Sequence, residues 1–66
     1  MIELLKDFGI YLHNVKAIDE NADAILVAYE IKNLDLDDLE MLLNLSIQDE
    51  EYELSEAIKR VIQFVS

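Results

Sequence analysis

The sequence predicts an all-α fold, a small bundle of three to four short helices ending in an antiparallel helical hairpin. Three observations carry this. Proline is absent and Gly9 is the only glycine, so strong helix breakers are scarce. Apolar residues recur at helical spacing in four successive segments. The last third, from Leu39 to Ile62, reads as two amphipathic helices joined by a short acidic turn, with Tyr52 opening the second. Residues 1–66 form a single small helical domain.

The first segment runs from about Ile2 to Ile18. Leu5, Phe8, Leu12 and Val15 fall at i, i+3, i+7 and i+10, flanked by Leu4, Tyr11 and Ile18. Gly9 inside it costs about 1 kcal/mol relative to alanine and marks either a close helix approach or a kink. The second segment spans about Asn21 to Asn33, where Ala24, Val27, Ala28, Ile31 and Leu34 keep helical spacing. Asp19, Glu20 and Asn21 supply N-cap candidates and first-turn acids. The same stretch alternates at Ile25, Val27, Tyr29 and Ile31. An α+β alternative with a β-hairpin across 10–31 therefore competes. The alanines, and a putative turn without glycine, favour the helix.

The third segment spans about Leu36 to Ile47. Asp35 and Asp38 have the offset of a capping box. Leu36, Leu39, Leu43 and Ile47 form its stripe, widened by Met41, Leu42 and Leu45. The fourth segment spans about Glu50 to Phe64, with Asp49 as the expected N-cap. Glu50, Glu51 and Glu53 load the positive end of its dipole, and Lys59 and Arg60 lie toward the negative end. Glu56 and Arg60 stand at i, i+4 in the favourable order. Leu54, Ile58, Val61 and Val65 make the apolar stripe, beside Ala57, Ile62 and Phe64.

Size and charge bound the function. A 66-residue chain has a marginal core, and one without cysteine cannot staple it with disulfides or thiolate metal sites. Association is the remaining support, and with 53% hydrophobic residues a homodimer or higher homo-oligomer is expected. Fifteen acids against five bases give a net charge of −10. Only Lys59 and Arg60 are adjacent bases, so neither direct nucleic-acid binding nor attraction to anionic membranes is expected. The longest apolar run, Ala24 to Tyr29, is far short of a membrane span. The mixed charge of Met1 to Asp7 shows no signal-peptide pattern, and a cytoplasmic location is expected.

The stretch Glu51-Tyr-Glu-Leu-Ser-Glu-Ala-Ile-Lys-Arg-Val-Ile62 resembles the second helix of the UVR motif. That motif is a helical hairpin of bacterial excision-repair proteins and of some stress and protease adaptors. Glu51, Tyr52 and Glu53 match its acid–aromatic–acid opening, Ser55 one small position, and Ile58 and Ile62 the aliphatic ones. Leu39, Leu43 and Ser46 sit at plausible first-helix positions. The pattern departs at Glu56, where a small residue is usual, and at Lys59-Arg60, where an Arg-Asp pair is usual. The resemblance covers about Leu39 to Ile62 and implies a hairpin that docks on another hairpin, not an active site.

The remaining motifs have plain explanations. Catalysis by paired carboxylates needs a cleft with one raised pKa, for which a chain this short has little room. Asp35-Leu-Asp-Asp38 resembles a calcium-loop fragment but lacks the central glycine, and a helix cap explains it. His13 has no second histidine or cysteine to share a metal. Tyr11, Tyr29 and Tyr52 lack basic neighbours for base stacking and suit a core or an interface. No catalytic, cofactor-binding or metal-binding residue is assigned. The expected function is a non-enzymatic protein–protein interaction module, a small acidic bacterial or phage regulator or adaptor. It would dock through its helical hairpin with Leu43, Ile47, Tyr52, Ile58 and Ile62 as contacts and an acidic rim favouring a basic partner. The alternative is an acidic nucleic-acid mimic that inhibits a DNA-binding protein.

Overall fold

Residues 3–66 are described by a computed structural model, and they form four helices: α1 (Glu3–Asp7), α2 (Ile18–Ile31), α3 (Leu36–Gln48) and α4 (Tyr52–Val65). No strand occurs among the described residues, so the β-hairpin across 10–31 does not form. Helix α4 packs against both α2 and α3, and α3 and α4 make the antiparallel hairpin.

The first segment departs most from its sequence reading. Its expected start at Ile2 lies outside the described residues, and the helix stops at Asp7 instead of reaching Ile18. Gly9 stops it by adopting φ +74°. The Ile10 amide donates to the Leu5 carbonyl at 2.8 Å and the Gly9 amide to the Lys6 carbonyl at 2.9 Å. This is a Schellman ending, in which a left-handed residue lets two orphan carbonyls find donors. Leu5 and Ile10, on either side of the reversal, are both in the core. Farther on, the Asn14 side chain accepts from the Lys16 amide at 3.0 Å, an Asx turn that competes with helix.

The same ending recurs twice without glycine. Asn33 has φ +54° after α2, and the Leu34 amide donates to the Tyr29 carbonyl at 3.1 Å. Glu50 has φ +59° after α3, with the Glu51 amide donating to the Ser46 carbonyl at 2.9 Å and the Glu50 amide to the Ile47 carbonyl at 3.0 Å. Asparagine tolerates this region, whereas glutamate meets the Cβ clash that disfavours it.

The helix starts are mixed. Asp35 caps α3 as expected: its side chain accepts from the Asp38 amide at 2.9 Å, and the Asp38 side chain accepts from the Asp35 amide at 3.2 Å. Asp49 does not cap α4; it closes α3, and Glu51 holds the N-cap position of α4 without a side-chain cap bond. Helix α2 begins at Ile18 behind Ala17, so Asp19, Glu20 and Asn21 lie inside it. Asp19 and Glu20 still complement the dipole there. Asn21 has another role. It is buried, and its amide group donates to the Asn14 carbonyl at 3.0 Å, pinning the 10–17 loop to α2.

The core joins Leu5, Ile10, Ile25, Ala28, Leu39, Leu42, Leu54, Ala57, Ile58 and Val61. Each large aliphatic side chain so buried contributes about 1.5–3 kcal/mol. The buried faces are narrower than the periodicity suggests. Helix α2 turns Asn21, Ile25 and Ala28 inward and leaves Val27 and Ile31 exposed. Helix α3 turns Leu39, Leu42 and Ser46 inward and leaves Leu36, Met41 and Ile47 exposed.

Two substitutions test the helix endings. Glu50→Gly should stabilise the protein by about 1 kcal/mol in chemical denaturation, because glycine removes the left-handed penalty. A variant no more stable than the parent would show that the glutamate side chain offsets that penalty. Gly9→Ala should destabilise by about 1–2 kcal/mol. The added Cβ would lie 3.0 Å from the Lys32 Cε, a flexible chain end that can move, so the loss comes from the backbone.

Candidate interaction surface

The α3–α4 hairpin is closed by a pair of small polar residues. Ser46 and Ser55 are buried where the two helices meet, with their hydroxyl oxygens 2.6 Å apart. Ser46 Oγ also approaches the Leu43 carbonyl at 2.7 Å, and Ser55 Oγ the Glu51 carbonyl at 3.1 Å. Three oxygen–oxygen contacts share two hydroxyl protons, so one contact lacks a proton of its own. The shorter distances favour Ser55 donating to Ser46, and Ser46 donating to Leu43. The small side chains allow close helix approach, and the shared hydrogen bond satisfies groups that would otherwise be costly to bury.

Around this seam the five expected contact residues separate. Ile58 is fully buried and belongs to the core, so it offers no docking surface in this fold. Its physical reason is position: with Leu54 and Val61 it lies on the inward face of α4. Leu43 and Ile62 are half-buried and pack against the core. Ile47 and Tyr52 remain, 45% and 61% exposed, on either side of the turn that closes the hairpin. Asp49, Glu50, Glu51 and Glu53 lie between and beside them in the chain. The accessible part of the expected site is thus the hairpin tip, an isoleucine and a tyrosine amid carboxylates.

Two further apolar surfaces escaped the sequence reading. Tyr11, Ala24, Val27 and Ile31 line an open groove between the segment after α1 and helix α2, with Asp23 and Lys32 also on its lining. A smaller groove between α2 and α4 is lined by Ala22, Leu26, Val61 and Phe64, with Phe64 75% exposed. Its polar lining is Asp23 and Arg60; Arg60 binds the Asp19 carboxylate at the start of α2 and lies 3.8 Å from Glu56 on its own helix. Both pairs are solvent-exposed and add little stability, and only the Asp19 pair links α2 to α4. The available signal was excess: α2 carries more apolar residues than one buried face can use.

Among the described residues no group of three or more histidine, aspartate or glutamate side chains could hold a metal ion. His13 is exposed. Among the described residues no helix is long and apolar enough to cross a membrane. Comparisons with protein-family models, curated proteins and solved structures find no match for the chain.

The hydroxyl pair makes a specific demand. Ser46→Val adds bulk at the seam and removes the acceptor nearest Ser55, and it should destabilise by about 1–3 kcal/mol. Ser46→Ala should cost less, because it removes the same hydroxyl without adding bulk, and in both variants Ser55 can still donate to the Glu51 carbonyl. Thermal denaturation of both variants checks the order; equal losses would show that the hydroxyl and not the space is what matters.

Proposed function

We propose that the chain is a non-enzymatic protein-interaction module, a small acidic regulator or adaptor that docks through the tip of its helical hairpin. The observation that carries this is the pair Ile47 and Tyr52, large apolar side chains held in solvent beside the Asp49–Glu51 turn while the core closes without them. Tyrosine at such a site gives a rigid apolar body with a polar end, the residue type enriched where binding energy concentrates. The surrounding carboxylates favour a partner with basic residues around an apolar pocket. A hairpin that docks on another hairpin is also what the resemblance to the UVR motif implies.

The test is comparative capture. A tagged chain is used to recover partners at low and high salt, beside Ile47→Glu and Tyr52→Ala variants. The expected result is one partner retained at high salt by the parent and weakened at least about tenfold by Tyr52→Ala, with unchanged helical circular dichroism. A partner retained equally by both variants would sink the hairpin-tip reading. Recovery only at low salt, of a basic protein displaced by competing DNA, would replace it with nucleic-acid mimicry.

A further inference from the structure

The segment before α2 is joined to the rest of the protein differently from the three longer helices. Helix α4 packs broadly on α2 and α3, whereas α1 makes no such broad contact with any helix. Two buried side chains hold the segment instead, Leu5 from α1 and Ile10 just past the Gly9 reversal, with Leu4, Phe8 and Leu12 partly buried beside them. We propose that residues 4–13 are a detachable strap. It opens as one unit while α2, α3 and α4 stay folded, and its opening uncovers the apolar seat of Leu5 and Ile10.

Hydrogen bonding marks the boundary of this unit. From Leu4 to His13 the backbone bonds are local: the Phe8 amide donates to the Leu4 carbonyl at 3.2 Å, and the Gly9 and Ile10 amides donate to Lys6 and Leu5. Among the described residues no hydrogen bond or ion pair joins this stretch to α2, α3 or α4. The first such link is at Asn14, whose carbonyl accepts from the buried Asn21 side chain. Asn14 therefore stands at the hinge, where the Asx turn to Lys16 and the bond from the Ala17 amide fix the chain to the start of α2. Detachment up to that point breaks no polar link to the other described helices.

Access and cost both favour opening. Open grooves flank the strap at Gly9, one between Ile10, Tyr11 and α2, the other between Lys6, Phe8 and the α2–α3 connection. Gly9 and Lys32 line both, so solvent reaches the strap from either side. Ordering about ten residues to seat two side chains leaves a small net hold, because each fixed residue loses conformational freedom. The body keeps most of what it needs. Eight of the ten buried core side chains belong to α2, α3 and α4, and the Ser46–Ser55 seam lies wholly within α3 and α4. A segment attached by so few buried contacts opens below the free energy of global unfolding. A helix as short as α1 does not persist alone in water, so opening also frees its amides.

The strap involves neither Ile47 nor Tyr52, so this inference and the proposed function stand or fall separately. Native-state hydrogen exchange of the full chain across low urea concentrations reads the opening directly. The amides of Phe8, Gly9 and Ile10 should exchange through one common opening, at least about tenfold more often than those of Ile58 and Val61 and with a weaker urea dependence. Ser46→Val weakens the α3–α4 seam in the closed and open forms alike. It should quicken Ile58 and Val61 and leave Phe8, Gly9 and Ile10 as they were. Equal openings and equal urea slopes in the two groups would overturn the strap, since both would then exchange through global unfolding. Separate openings for Phe8 and Ile10 would overturn it too. Leu5→Asp gives a second check, because it should leave the strap off. Phe8, Gly9 and Ile10 should then lose protection, Ile58 and Val61 should keep it, and an apolar dye should bind at the uncovered seat. Loss of protection throughout would show that α2, α3 and α4 cannot stand without the strap, against the proposal.

Discussion

Helix α4 is the constraint on which the other elements depend. It buries Leu54, Ser55, Ala57, Ile58 and Val61, and it packs against both α2 and α3. In so small a domain one helix must serve two neighbours, so its apolar arc has to be wide. The two sides of that arc differ in kind. Toward α3 the contact includes hydrogen-bonded serines, which demand one register. Toward α2 it is bordered by a small apolar groove and the Arg60–Asp19 ion pair, which tolerate adjustment. The hairpin is thus the more closely specified half of the molecule.

A second regularity is the repeated helix ending. Three of the four helices terminate through a left-handed residue, supplied in turn by Gly9, Asn33 and Glu50. Each ending gives orphan carbonyls a donor without adding length to the connection. Proline is absent from the chain, so helix stops depend on these local hydrogen bonds, while the Asp35 capping box fixes the start of α3.

Much of this was legible in the sequence, and the failures have identifiable causes. Helix α3 was readable because period and cap agree, and α4 because period and charge agree over a dozen residues, although Asp49 closes α3 and does not cap α4. The capping box at Asp35 and Asp38 could be read from spacing alone. Gly9 was visible as an anomaly, but apolar periodicity continued past it and masked the stop. Glu50 gave no signal at all, since nothing in its side chain announces a left-handed backbone. Asn21 resembles a cap residue and is instead a buried tether for the loop behind it. The contact residues show the deepest limit. Periodicity identifies an apolar stripe but does not say which part of a wide stripe faces inward, so Ile58 went to the core while Ile47 and Tyr52 stayed outside. The groove at Tyr11, Val27 and Ile31 depends on where a nonhelical segment returns, and helical periodicity does not describe such a segment.

The short connections also govern how the chain can change its length. Residues 32–35 contain the end of α2, its left-handed residue and the cap of α3; residues 49–51 join α3 to α4 in the same economical way. Every position there has a backbone role, so an inserted residue would displace a helix end and not merely lengthen a loop. The segment between Ile10 and Ala17 is different: its later half is held by the Asx turn, the bond from the Ala17 amide to the Asn14 carbonyl and the Asn21 tether. Around Leu12 and His13 the backbone has no comparable assignment. Insertions, loop exchange or a grafted peptide would find their least disruptive position there, while the hairpin half would keep its length nearly fixed.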